Sequence, residues 1–365
     1  MKSIKQEYSS LMMIFRLRVL AFMFTAVSLL LGACLSSLRE YQVQEYHYYG
    51  EGVPPAFENY RIALVSDIHV WDMGLSVADQ KAQAQARFDY LRLQEIGFLL
   101  RRSRSDLLLL AGDYVSFRKR VREDVDLRPY LALLPRPRDG IVAVLGNHDH
   151  FLLPRKESNP ALRALRAAGA TVLLNRQLQI VSQRDPSQVL HLVGLDDFMF
   201  GVRASAKALF AGLEPEDFVI ALAHNPDSFD LFARPELVDM ALAGHLHGGQ
   251  VTLFGLALTV PAQRKYLRQP FQTPYFPAFV SNGLGASRLQ FRLMAPPQIW
   301  TIVLHSLPQG QISKQEDFWH AESRRLRSES NFVRARMVPP RYRSSGYRIV
   351  RLGGPAQRVV LPSSP

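Results

Sequence analysis

Five short clusters of polar residues, each set directly behind a largely apolar run, limit what this chain can fold into. Asp67-Ile68-His69 follows residues 61–65, and Gly112-Asp113 follows residues 106–111. Gly146-Asn147-His148-Asp149 follows residues 140–145, His224 follows 218–223, and Gly244-His245-Leu246-His247 follows 238–243. Apolar runs this short, bounded by Gly and Asp, read as strands buried on both faces. Residues 79–103 read as a helix with Phe88, Leu91, Ile96, Leu99 and Leu100 on one apolar face, and residues 160–168 as a second helix. Further strands are expected at 171–174, 177–181, 189–193, 278–281 and 298–304. Buried strands separated by helices predict a layered α/β fold. In such folds ligands gather at the carboxyl ends of strands, so the five clusters are expected to converge on one sheet edge.

The residue types in those clusters belong together chemically. The chain has one cysteine, Cys34, which excludes an internal disulfide and any cysteine-built metal site. Carboxylate, imidazole and amide oxygen suit borderline or harder divalent ions, manganese first, with zinc or iron also within reach. Seven such groups are too many for one tetrahedral ion. They suit two ions sharing a carboxylate, the arrangement that clamps attacking and leaving oxygens in an in-line displacement.

The ordered set D-x-H, G-D, G-N-H-D, a lone His and G-H-x-H resembles the calcineurin-like metallophosphoesterases over roughly residues 60–304. The resemblance implies a sandwich of two mixed β-sheets flanked by helices. It implies Asp67, His69 and His247 at a first metal, Asn147, His224 and His245 at a second, and Asp113 bridging them. His148 would act as acid or electrostatic stabiliser near the leaving oxygen, with Asp149 orienting its ring. The activity implied is hydrolysis of a phosphomonoester, phosphodiester or pyrophosphate. No ligand of the pattern is missing, which argues against a non-catalytic scaffold.

Softer features narrow the resemblance. Gly244-His245-Leu246-His247-Gly248-Gly249-Gln250 carries Leu246 where relatives often have Thr. With Ala223-His224-Asn225-Pro226-Asp227, Ser281-Asn282-Gly283-Leu284-Gly285 and Ala295-Pro296-Pro297, it resembles a bacterial membrane-associated branch. That branch includes a cell-wall-linked phosphodiesterase and a UDP-2,3-diacylglucosamine pyrophosphatase of lipid A synthesis. It implies a phosphorylated, lipid-linked substrate; a generic exported phosphodiesterase or phosphatase is the alternative.

The ends of the chain carry other signals. Lys2, Lys5, Arg16 and Arg18 precede an uncharged apolar stretch, residues 19–31, that ends in Leu31-Gly32-Ala33-Cys34. This is either a lipoprotein signal, with Cys34 lipidated, or an uncleaved anchor helix. Both tie the chain to a membrane, the basic flank favouring export of the remainder. The expected organisation is a signal or anchor at 1–38, a linker at 39–59, a catalytic domain at 60–305 and a basic tail at 306–365. The tail holds 11 Lys/Arg against 4 Asp/Glu, so much of the formal charge of +12 lies there, and it reads as disordered or surface-binding. Without an aromatic-basic RNA-binding signature, nucleic acid is the weakest partner class.

Outside the clusters, His47, His150, His191, His305 and His320 have no partner pattern and are expected in core or surface roles. Asp196 and Asp197 suit either a turn or a place beside the site. Arg264, Lys265, Tyr266 and Arg268 suit either a phosphate contact or a solvated loop, and Phe198-Met199-Phe200 either packing or a lipid contact.

Overall fold

Strands made wholly of apolar side chains need cover on both faces, and the architecture supplies it twice over. The computed structural model describes residues 2–37, 41–71, 80–116, 126–150, 159–202, 206–232, 234–253, 256–257, 267, 271–273, 275–287, 289–308 and 347–351. The chain opens with α1 (Lys2–Ser37), β1 (Gln42–Gly50), β2 (Tyr60–Val65), α2 (Gln80–Arg102) and β3 (Leu107–Ala111). Next come the single turn α3 (Arg128–Leu131), β4 (Ile141–Val144), the single turn α4 (Asn147–His150), α5 (Pro160–Ala167), β5 (Ala170–Val172) and β6 (Arg176–Val181). Then follow β7 (Val189–Gly194), α6 (Ala206–Leu209), β8 (Val219–Leu222), β9 (Met240–Ala243), β10 (Thr252–Leu253) and β11 (Leu256–Ala257). The last elements are β12 (Phe271–Gln272), β13 (Pro277–Val280), β14 (Gln298–Ser306) and β15 (Tyr347–Arg351).

Apart from β10 and β11, which pair with each other alone, these strands form two mixed sheets, as the resemblance implies. The first has the order β15-β1-β14-β2-β3-β4-β5 and the second β12-β13-β9-β8-β7-β6. Within the first, β2, β3, β4 and β5 run parallel. Within the second, β7, β8, β9 and β13 do. Alternation along β3 shows how the layers are filled. Leu107 and Leu109 enter the apolar layer shared with Leu192, Ile220 and Leu242 of the second sheet. Leu108 and Leu110 point the other way, into a layer with Leu93 and Ile96 of α2 and Leu162 and Leu165 of α5. A third layer, with Phe229, Phe232 and Phe276, covers the far side of the second sheet.

Three expectations need correction. Residues expected as a linker contain β1, which pairs in parallel with all of β14 from Gln42↔Gln298 to Gly50↔Ser306. Its signal is hidden because Gln42, Gln44, Glu45 and His47 break up the apolar pattern, yet Tyr46, Tyr48 and Gly50 are the buried positions. From the tail expected to lack regular structure, β15 pairs antiparallel with β1; residues 309–346 and 352–365 lie outside the described set. The expected apolar face of α2 is rotated: Leu93, Ile96, Leu99 and Leu100 are buried, but Phe88 is 39% and Leu91 47% exposed. Arg264, Lys265, Tyr266, Arg268 and His320 lie outside the described residues.

Helix α1 carries an 18-residue window, Met12–Leu29, apolar enough to cross a membrane by length and composition, with none of it buried in the protein.

Trp300 ties the two sheets together. It is fully buried on β14, stacked on Tyr46 of β1 at 4.6 Å and met edge-on by Phe279 of β13 at 5.5 Å. Trp300→Ala is therefore expected to cost about 3–5 kcal/mol, read as a lower urea midpoint with an unchanged slope.

Candidate metal centre

Each candidate residue sits on a short loop at the carboxyl end of a strand with a parallel neighbour. Asp67 and His69 follow β2, Asp113 follows β3, and Asn147 and His148 open α4 behind β4. His224 follows β8, and His245 and His247 follow β9. Backbone hydrogen bonds knit the loops: the Asp67 N–H donates to Gly112 O at 2.9 Å and the His69 N–H to Asp113 O at 3.0 Å. Two glycines make this approach possible. Gly112 has φ +85°, and a Cβ there would lie 2.8 Å from His224 Nδ1. A Cβ at Gly146 would collide with the Asp113 carboxylate. Five of the seven candidate ligands, Asp67, His69, Asp113, His245 and His247, themselves have positive φ between 47° and 73°. Such backbone costs about 1–3 kcal/mol per residue and clusters at functional sites.

The structure brings all seven predicted ligands together. Asp67 Oδ1 lies 3.2 Å from His247 Nε2, which is 3.0 Å from His69 Nε2. His224 Nε2 lies 3.1 Å from both Asn147 Oδ1 and His245 Nδ1. Asp113 Oδ2 stands between these groups, 3.6 Å from His69 Nε2 and 3.3 Å from His224 Nε2. The ligand atoms form three overlapping sets, Asp67/His69/His247, His69/Asp113/His148 and Asp113/His224/His245, each within 4.8 Å of one another. The His224 tautomer agrees with ligation through Nε2, whereas at His247 the Arg292 guanidinium donates to Nδ1 at 3.2 Å and leaves the ring proton on Nε2. His224 Nδ1 donates to Ala111 O at 2.7 Å, so Nε2 keeps its lone pair for the site. His245 Nε2 is buried without a hydrogen-bond partner.

Electrostatics show what the cluster lacks. Burial alone would raise the Asp113 carboxyl, but the surrounding imidazoles, His224 foremost, hold it well below the usual carboxylate range. Burial likewise opposes ionised Asp67, and His247 is the main counterweight that lowers it. Burial would lower His224, yet Asp113 outweighs it and lifts the imidazole to about 10. Burial and then the His224 charge drive His245 down to about 3. On protein groups alone, a proton on His224 offsets only one of the two buried carboxylates. A divalent ion replaces that proton and satisfies the remaining lone pairs. The residues fit a dinuclear divalent metal site.

Of the two predicted catalytic residues, His148 lies at the mouth, its side chain 17% exposed and 4.0 Å from Asp113, with its N–H donating to Asp113 Oδ1 at 2.9 Å. Asp149 is spent on backbone. Its carboxylate accepts the N–H groups of Gly146 and Asp113 at 2.8 Å and of Tyr114 at 2.9 Å, fastening the β3 and β4 loops together. Burial, and then the Asp113 charge, push it up to about 7.

Sequence reasoning missed two buried arginines that brace the same loops. Arg92 of α2 donates to Ile68 O at 2.7 Å and His69 O at 3.2 Å, and pairs with Asp89 at 3.0 Å. Arg292 donates to Gly285 O at 2.7 Å and His247 O at 3.2 Å. The i,i+3 spacing of Asp89 and Arg92 on an otherwise buried face is the one signal that pointed to either. Asp196 pairs with His150, which is outside the ligand set, at 2.6 Å, and Asp197 accepts the Met199 and Phe200 N–H groups of a turn. His47 and His305 stack on each other, and His191 faces Asp217 at 3.4 Å.

This arrangement has counterparts among known proteins. The sequence profile of the calcineurin-like phosphoesterases matches residues 60–249, and the chain belongs to that family. It is a metal-dependent phosphoesterase. It is 28% identical over 256 residues to the metallophosphoesterase YkuE of Bacillus subtilis (strain 168), covering 70% of this chain and 82% of YkuE. It is 34% identical over 206 residues to the phosphodiesterase YaeI of Escherichia coli (strain K12), covering 54% of this chain and 70% of YaeI. A transmembrane protein with metallophosphoesterase domain from Bos taurus is 25% identical over 275 residues, 70% of this chain and 55% of its own length.

The His150–Asp196 pair supplies a pH test. Burial would lower the imidazole, but the Asp196 carboxylate outweighs it and raises it above its ordinary value. A raised folded-state value means the pair stabilises fully below about pH 6.5, and that contribution fades as pH rises through the raised value. The melting-temperature gap between wild type and His150→Gln is expected to be wider at pH 6 than at pH 9.

Proposed function

We propose that the chain is a membrane-tethered hydrolase of phosphodiester or pyrophosphate bonds in a lipid-borne substrate. The observation that carries this reading is the sharing of Asp113 between His/Asp sets on its two sides. Asp67, His69 and His247 would hold one divalent ion, Asn147, His224 and His245 the other, with Asp113 shared between them. The ligand chemistry favours manganese, with zinc or iron as substitutes. When bound, such a pair supplies Lewis-acid polarisation of phosphoryl oxygens.

The chain's own groups do the rest. His148, half-buried at the mouth, holds or delivers a proton at the leaving oxygen. Asp149, through three backbone N–H groups, fixes the loops that carry Asp113 and His148. Beside His69 a cleft of about 200 Å³, lined by Trp71, Phe88, Leu284 and Gln290 among others, takes one substituent of the phosphate.

Two observations support the membrane: the apolar window in α1, and a relative whose name describes it as a transmembrane protein. The tie is either the helix itself or a lipid on Cys34. Motif resemblance makes UDP-2,3-diacylglucosamine the named candidate substrate. The second reading, a generic exported phosphodiesterase, is favoured by the phosphodiesterase YaeI.

Purified full chain, loaded with Mn²⁺ in detergent, is expected to cleave bis-p-nitrophenyl phosphate, and Asp113→Ala to lose at least about 10²-fold. Faster cleavage of UDP-2,3-diacylglucosamine by wild type alone supports the lipid reading. Cleavage of the simple diester only supports the second. Equal activity in Asp113→Ala would contradict both.

A further inference from the structure

Helix α2 carries an outer face that the protein core leaves uncovered. Its exposed large apolar side chains are Phe88 at 39%, Tyr90 at 39%, Leu91 at 47% and Phe98 at 42%. At 100° per residue all four fall within one half of the helix. Arg87, Arg101 and Arg102 are exposed on that same half, with Arg102 over the Phe98 ring at 5.8 Å. No carboxylate lies fully exposed there, because Asp89 is buried against Arg92 and Glu95 is half-buried. Aromatic and aliphatic side chains interleaved with arginines, with half-buried Glu95 the one acid among them, match the face that helices lay into a lipid interface.

The chain's own connectivity says what covers this face. Ser37 ends α1, and Tyr41, four residues later, is buried in the same apolar layer as Leu93 and Ile96 of α2. Four residues span at most about 14 Å. The membrane segment thus delivers the chain to the α2 side of the domain. Lipidation of Cys34 in place of a spanning helix would lengthen the tether to seven residues, about 25 Å, and leave the same side nearest.

We propose that the outer face of α2 docks on the surface of an anionic bilayer, so that the cleft beside His69 opens onto lipid headgroups. Phe88 belongs to both structures: it is exposed on α2 and it lines the cleft that begins at His69. The substrate class this favours is a phosphorylated lipid headgroup that reaches the cleft without leaving its bilayer. The inference rests on membrane tethering through the N-terminal segment, as put forward above.

The test uses full-length protein carrying Cys34→Ser, in vesicles of phosphatidylcholine and phosphatidylglycerol. One environment-sensitive fluorophore is placed at Leu91→Cys or Phe98→Cys, or at Gln179→Cys on β6, the far edge strand of the second sheet, as control. Labels at 91 and 98 are expected about 5–10 Å below headgroup level, blue-shifted and quenched by bromine-substituted lipid, while the label at 179 stays in water. The double variant Leu91→Glu/Phe98→Glu is expected to cleave a vesicle-borne phospholipid phosphate about tenfold more slowly and a soluble diester at the wild-type rate. Labels at 91 and 98 that behave like the one at 179 would overturn the proposal. So would a blue shift without bromine quenching, which assigns the face to a second copy or another protein. Failure of wild type to cleave any phosphoester would refute the phosphoesterase reading and leave the label result standing. Protein that does not sediment with vesicles would refute the anchor-helix form of the tether and the docking together.

Discussion

Burial of like charges in one small volume is the constraint around which the rest of this molecule is organised. Asp67 and Asp113 are both removed from water, and Asp113 has a cluster of imidazoles on either side. Isolated ionised carboxylates in such surroundings cost many kcal/mol unless cations balance them. Protein groups offset this charge only in part, through imidazoles that burial itself resists protonating. His69 Nε2 and His247 Nε2 lie 3.0 Å apart, and a second pair, His224 Nε2 and His245 Nδ1, lies 3.1 Å apart. Divalent cations are the chemical answer to that arrangement.

The α/β sandwich makes the burial possible. Parallel strands from both sheets end at the same level, so loops distant in sequence meet edge to edge. Holding them there strains the backbone at five ligands, and the strain is opposed by neighbours that hydrogen-bond to main chain. Asp149 gathers three N–H groups from the β3 and β4 loops; Arg92 and Arg292 gather carbonyls from the loops behind β2, β9 and β13. Carboxylate and guanidinium have complementary roles here, since strand ends leave both donors and acceptors unpaired.

Much of this was legible in the sequence. Polar clusters behind apolar runs gave the loops, and the carboxyl-end rule of α/β sheets gave their convergence. The elements that escaped did so for physical reasons. In β1, Gln42, Gln44, Glu45 and His47 break up the apolar pattern as a solvated segment does, and its burial comes from β14, more than 240 residues away. Arg92 bonds to backbone carbonyls and one helix neighbour, and Arg292 to backbone carbonyls and to His247 Nδ1 across a separation of 45 residues, so no local motif marks either. Phe88 and Leu91 satisfy a helical apolar period as well as Leu93 and Ile96 do, and periodicity alone cannot say which stripe faces the core. The stripe that does not is the one that gives α2 a second surface.

Counting bound metal tests the account most directly. Full-length chain, reconstituted with excess Mn²⁺ and freed of loose ion by gel filtration, would be measured by inductively coupled plasma mass spectrometry beside Asp113→Asn. Two ions per wild-type chain, and fewer than one per Asp113→Asn chain, is the result predicted for a carboxylate shared between two sites. One ion or none in wild type, or two retained without the Asp113 carboxylate, would contradict it.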